Sequence, residues 1–580
     1  MAVRRGVGIV LGLIVVAVVI SAASLVLMAA LVGRQPQVAG NSTLVLKIGG
    51  NLEEMEPGGV IGQFFEAPPT VRSLVETLRK AKVDRRISGI VIRPAGAAAL
   101  WGKVQEVRDA ITDFRTSGKP AIAYLEYGGE QEFYLASACE KIFLMPAASL
   151  DLTGVASYDL FLRGTLDKIG AFPDTLHIGQ YKTASNTFTE RTYTPAHREM
   201  AQSLNADLYE QLIRGLAEGR RKTEPEMRAL VDHGPFLPED AVRAGLVDDV
   251  AYEDELDDKV QLSKGAVTFL SEAEYRPVSP VSLGLNKGPR IAIIYATGII
   301  ASGASSYDSP SGQVVGSDTM IEYLRKARAD RSIKAIVLRI DSPGGSAIAS
   351  DVIWREVMLT RGAKPVIASM SDVAASGGYY IAMPAHAIVA EPATLTGSIG
   401  VVLLKFVIDG TLKKLGMNME GVSNGRYADL YSPVRPFTPA ERAKVQEQMQ
   451  ATYDTFVEKA AEGRNTSPER IDAVAQGRVW TGQQAKQLGL IDELGGLERA
   501  LALAKTRAKL PPGEVELVIY PGRKSIYEIV KNPFGSSGAT GDLAAMLGFR
   551  DPRALELLTT PLRVFRRGEP LALMPNVFVR

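Results

Sequence analysis

L-R-K-A-K-V-D-R-R-I-S-G-I-V-I-R, running from Leu78 to Arg93, returns as L-R-K-A-R-A-D-R-S-I-K-A-I-V-L-R from Leu324 to Arg339, 246 residues later. The same offset pairs Tyr134 with Tyr380, Gly154 with Gly400 and Val155 with Val401. It lays T-L-D-K-I-G (Thr165 to Gly170) on T-L-K-K-L-G (Thr411 to Gly416), and Gly179 and Tyr181 on Gly425 and Tyr427. Farther on the offset becomes 244: Glu218-Gly219-Arg220 falls on Glu462-Gly463-Arg464, and A-G-L-V-D (Ala244 to Asp248) on L-G-L-I-D (Leu488 to Asp492). Self-similarity on this scale means two copies of one domain. They span 42–275 and 289–508, with Pro277, Pro280, Gly284, Gly288 and Pro289 punctuating the join. Within the second copy, I-A-I-I-Y-A (from Ile291), A-I-V-L-R-I (from Ala335) and P-V-I-A-S-M (from Pro365) are short apolar runs rich in β-branched residues. Helical patterns at Asp318 to Ala327 and Ile348 to Thr360 separate them, and 439–464 is a longer one, matched by 195–220. Strands buried on both faces and joined by helices predict an α/β fold with a parallel sheet in each copy.

The whole chain has 580 residues, 46% hydrophobic and 23% charged, enough apolar surface for folded cores. The net charge of +1, without a basic stripe, argues against a nucleic-acid partner. One cysteine, Cys139, excludes a disulfide within the chain, and His177, His197, His233 and His386 lie far apart, so neither metal nor cofactor is expected. Arg4 and Arg5 precede an uncharged run of 28 residues, Gly6 to Gly33. A bilayer core takes about 20 apolar residues, whereas a cleaved signal has an apolar region of about 7–15. The run therefore reads as a retained transmembrane anchor at 6–33, with 1–5 cytoplasmic and the body outside the cytoplasm, since only Arg34 follows it closely.

Three differences between the copies point to chemistry. A-A-S-G-G-Y-Y, from Ala374, sets Ser376 at a strand-to-helix turn, where the first copy has Glu130. D-S-P-G-G-S, from Asp341, follows another strand, and its glycines can offer backbone N–H groups to an oxyanion. G-Q-Y-K-T, from Gly179, carries Lys182 where the second copy has Ala428. Each segment alone admits a plainer reading: a helix cap, a turn, a surface lysine. Together they suggest a divided site, in which a desolvated Lys182 enters from the first copy to take the proton of Ser376. Gly377 with Gly344 or Gly345 would stabilise the oxyanion, and a lysine placed at Ala428 is expected to rescue Lys182→Ala.

These motifs resemble the signal peptide peptidase A (SppA) family in its long, duplicated, membrane-anchored form; the resemblance covers residues 1 to about 508. It implies two Clp protease/crotonase-like domains built of repeated β-β-α units after an N-terminal transmembrane helix. It assigns Ser376 as nucleophile and Lys182 as general base. It further implies a homotetrameric bowl, held on the periplasmic side of the bacterial inner membrane, that cleaves signal peptides and other hydrophobic peptides. A broader membrane-protein protease and a catalytically idle scaffold are the competing readings. Residues 509–580 match nothing in this pattern.

Overall fold

The computed structural model describes residues 38–55, 69–260, 268–306, 313–522, 570–575 and 578–579, together with Val16. The remainder of the run 6–33 lies outside the described residues, and no helix among the described residues is long and apolar enough to cross a membrane.

Each copy forms its own sheet. In the first, the order across the sheet is 249–250, 141–144, 121–125, 87–97, 42–50 and 268–271, every neighbouring pair parallel. In the second it is 479–481, 395–397, 366–375, 333–342, 290–297 and 516–520, parallel except for the pair 395–397 and 479–481. Helices cover the strands, so Leu44, Ile90, Ile293 and Val337 are all fully buried. The two long helices, Pro195–Arg220 and Pro439–Arg464, begin alike: a threonine caps the helix and proline occupies its first turn. One boundary moves. Glu516–Tyr520 lies parallel beside Arg290–Thr297, in the place that Thr268–Ser271 takes beside Ser42–Gly50, so the second copy continues to Tyr520 rather than ending at 508. Five residues of edge strand are too short to display a period in sequence.

The copies are joined in two ways. Phe172–Ile178 of the first pairs antiparallel with Val401–Val407 of the second, from Ile178↔Val401 to Phe172↔Val407. A buried polar seam adds to this. Arg339 of the second copy donates to Glu54 Oε2 and Oε1 of the first at 2.9 and 2.8 Å, and to Glu106 Oε2 at 2.6 Å. Arg93, its counterpart in the repeat, instead reaches the half-exposed carboxylates of Glu126 and Glu253. Nearby, Asp372 of the second copy accepts from the backbone N–H groups of Leu100 (2.9 Å) and Lys103 (2.7 Å), capping the first-copy helix Trp101–Arg115, whose own N-cap residue, Leu100, has no capping side chain. Lys103 Nζ then pairs with Asp341 at 2.7 Å, tying this seam to the start of the S-P-G-G turn.

Candidate active site

Ser376 stands between the strand Val366–Ala375 and the helix Gly377–Ala382. Its backbone has φ 55° and ψ −111°, a conformation that a residue with a Cβ rarely adopts. Such a sharp strand-to-helix turn is the kind of geometry that nucleophile elbows use to present a serine hydroxyl. The turn is pinned from both sides: Ser376 N–H donates to Gly397 O at 2.8 Å, and Tyr380 N–H donates to Ser376 O at 2.8 Å. Ser376 is fully buried.

Lys182 arrives from the first copy. The strand Phe172–Ile178 delivers it, and Tyr181 N–H donates to Gln476 O of the second copy at 2.7 Å. Lys182 Nζ lies 2.8 Å from Ser376 Oγ, 2.8 Å from Ser398 O and 3.0 Å from Ser398 Oγ. The side chain is only 1% exposed, and burial pushes Lys182 well below the usual lysine range. Ser398 was not anticipated from the sequence. It too has positive φ, 50°, and the repeat sets it against Leu152, so that, like Ser376 against Glu130, it is a serine present in the second copy alone.

The three glycines converge on the same place. Gly344 has φ 102°, and a Cβ there would fall 2.7 Å from Gly377 N. A Cβ on Gly377 would fall 3.0 Å from Gly344 Cα and 3.1 Å from Gly345 N. The two turns can touch only because neither carries a side chain. Gly344 N–H is engaged by Ser342 Oγ at 3.2 Å.

Ala428 departs from expectation. It is exposed, whereas Ser376 and Lys182 are buried, so a lysine there does not stand in the Ser376 site. The reason lies in the pairing. The first-copy strand that carries Lys182 lies against the second copy, while the matching second-copy segment, 418–424, lies exposed. His386 stands apart from this group, its Nδ1 accepting from Val366 N–H at 3.1 Å.

Two stretches of the chain, 113–266 and 359–511, match the family model of Peptidase family S49, their starts separated by the repeat offset. The chain is 37% identical over 454 residues to the chloroplastic serine protease SPPA of Arabidopsis thaliana, covering 77% of this chain and 67% of that one. It is 34% identical over 504 residues to Protease 4 of Salmonella typhi, covering 84% and 78%. Protease 4 of Haemophilus influenzae is 29% identical, over 74% and 72%. With the two-copy α/β body, these matches define the class: the protein is a serine protease. More particularly, the chain belongs to peptidase family S49, as a long member that carries the family's domain twice.

Proposed function

We propose that this chain is a membrane-anchored endopeptidase in which Lys182 is the general base for the Ser376 nucleophile, and that it degrades signal peptides left in the membrane. The observation that carries this reading is the set of partners around Lys182 Nζ. A neutral amine has two N–H groups and one lone pair. Ser398 O and Ser398 Oγ, at 2.8 and 3.0 Å, take the two N–H groups. The lone pair is then left for the Ser376 hydroxyl at 2.8 Å, and burial favours that neutral form. Ser376 Oγ attacks the peptide carbonyl as its proton passes to Lys182, which returns it to the leaving amine. Water, deprotonated by the same lysine, then releases the acyl group.

Gly377 N–H, at the start of its helix, is the first oxyanion donor in this scheme, with Gly344 or Gly345 as the second. Each such donor is worth about 3 kcal/mol in the transition state. Gly344 serves once the Ser342 hydroxyl gives way.

A Clp protease/crotonase-like fold is supported by the successive strands 333–342 and 344–346, which lie in different sheets and lead into the helix Ala347–Arg361, and by 290–297 and 299–301, which reach the helix Ser317–Ala329 after a third strand, 314–316. Residues 6–33 are the anchor, and the body lies on the periplasmic side of the bacterial inner membrane. A homo-oligomer, read as a tetramer, is supported by two segments that each leave an edge unpaired among the described residues; in one of them Ser157–Tyr158 pairs on its other side with Phe578–Val579. At the repeat offset, the joining strands 172–178 and 401–407 correspond to 418–424 and 155–161. The first of these segments is exposed, with Val422 wholly so, and Tyr158 and Leu160 in the second are exposed as well. Pairing one chain's 418–424 with another's 155–161 repeats the internal joint as a head-to-tail contact, which closes rings.

The test uses full-length protein extracted from membranes. It should keep its N-terminus, cut a synthetic signal peptide in micelles into fragments seen by mass spectrometry, and run as an oligomer that Val422→Asp dissociates. A mature chain starting after residue 33, or an intact signal peptide, contradicts the reading.

A further inference from the structure

The strand Leu571–Leu573 comes from the far end of the chain, yet it lies inside the active-site sheet. It sits between Gly344–Ser346 and Val401–Val407 and is antiparallel to both. Gly344, Gly345 and Ser346 face Leu573, Ala572 and Leu571 in register. The pairing extends at each end: Ala347 N–H donates to Pro570 O at 3.2 Å, and Met574 N–H donates to Pro343 O at 2.8 Å. Side chains alternate along the strand. Leu571 packs with Ala184 and Val402, on one side. Met574 fills an apolar pocket made by Met200 and Leu204 of the first copy and Ala375, Leu395 and Val479 of the second, directly beside Ser376. Ala572 is buried, and its carbonyl lies over the glycine turns: a Cβ on Gly344 would fall 1.9 Å from Ala572 O and 2.7 Å from Gly377 N.

We infer that residues 570–575 occupy the peptide groove of this protease from within its own chain and hold it closed until an apolar peptide displaces them. Without this strand, the edges 344–346 and 401–407 would face each other across a gap one strand wide. Unpaired strand edges are templates for an extended peptide: main-chain hydrogen bonds give affinity and alternate pockets give selectivity. The tail meets both demands, and its carbonyl stands where the oxyanion donors converge. A tethered segment competes at an effective concentration in the millimolar range, so a free peptide must be both extended and apolar to replace it. This inference rests on the reading of Ser376 as nucleophile.

The test compares the full-length protein with Ala572→Asp and, independently, Met574→Asp, each of which puts a carboxylate where the strand is buried. Two readouts are taken. A fluorophosphonate should label Ser376 on the order of 10²-fold faster in either variant, the lower end of what tethering adds to competition. A fluorescent peptide of sequence P-L-A-L-M-P should bind both variants, by anisotropy, and not the parent protein. The inference is overturned if neither variant labels faster nor binds the peptide. Slower labelling at an unchanged melting temperature also overturns it, because the strand is then part of the working site. Labelling of the parent protein that accelerates on dilution overturns it too, by placing the tail in a second copy. If Ser376 is labelled in none of the three proteins, the nucleophile reading fails, and peptide binding alone still decides whether the tail fills the groove.

Discussion

Lys182→Met removes peptide hydrolysis by at least about 10³-fold while the protein stays folded, the loss expected when a general base is deleted from an otherwise complete site. Methionine keeps most of the volume of the buried stem and carries no charge to desolvate, so the melting temperature should hold or rise. Ser376→Ala produces a loss at least as large. The double variant is no worse than Ser376→Ala alone, because base and nucleophile act as one unit. Initial rates on an apolar fluorogenic peptide in detergent, with thermal melts of each protein, measure both effects. Retention of more than about a tenth of the parent rate in Lys182→Met would remove the lysine from the mechanism.

Arg339→Leu is expected to have the largest effect on stability. It strands Glu54 and Glu106 in the seam between the copies, and an uncompensated buried charge costs about 3–5 kcal/mol. The loss should appear in urea or thermal unfolding at neutral pH. Its pH dependence is a second signature. In the intact protein burial would raise the Glu54 pKa, but Arg339 outweighs it and holds the carboxyl at about 2, below its ordinary 4.5. A group depressed on folding contributes stability above its unfolded pKa, and that contribution is lost as pH falls from about 4.5 towards 2. In Arg339→Leu only Lys103 and the Ser371 hydroxyl still oppose burial, so the depression of the Glu54 pKa shrinks and acid removes less stability than it does in the parent. A variant as stable as its parent at neutral pH contradicts this account of the seam.

The repeat made most of the architecture legible. Two matching copies with the same order of apolar runs locate both sheets, and Pro195–Arg220 and Pro439–Arg464 are helices over the ranges read from sequence. The proximity of Ser376 and Lys182 was legible because each residue lacks its counterpart in the other copy. What was not legible depends on packing. Arg93 and Arg339 are the same residue in the same motif, yet one reaches half-exposed carboxylates and the other is sealed in the seam, because only the second meets the other copy there. Ala428 occupies the repeat position of Lys182 but not its place in space, since 172–178 has a partner strand and 418–424 lies exposed. Ser398 stood within the matched stretch around Gly400 and could have been found by comparing it with Leu152. The tail strand had no such signal: P-L-A-L-M-P is six residues whose partners lie more than 150 residues away in the chain.

The most direct test of the divided site is the pH dependence of fluorophosphonate labelling at Ser376, read by peptide mass spectrometry in the parent protein and in Lys182→Met. Burial lowers the Lys182 pKa below its ordinary 10.5, so the amine becomes the neutral base as pH rises through that lowered value. The parent labelling rate should therefore climb with pH through a single ionisation below 10.5 and then level off, the label residing on Ser376. Lys182→Met should label slowly, with that ionisation gone. Equal rates and equal pH profiles in the two proteins, or a label on a serine other than Ser376, would contradict a site shared between the two copies.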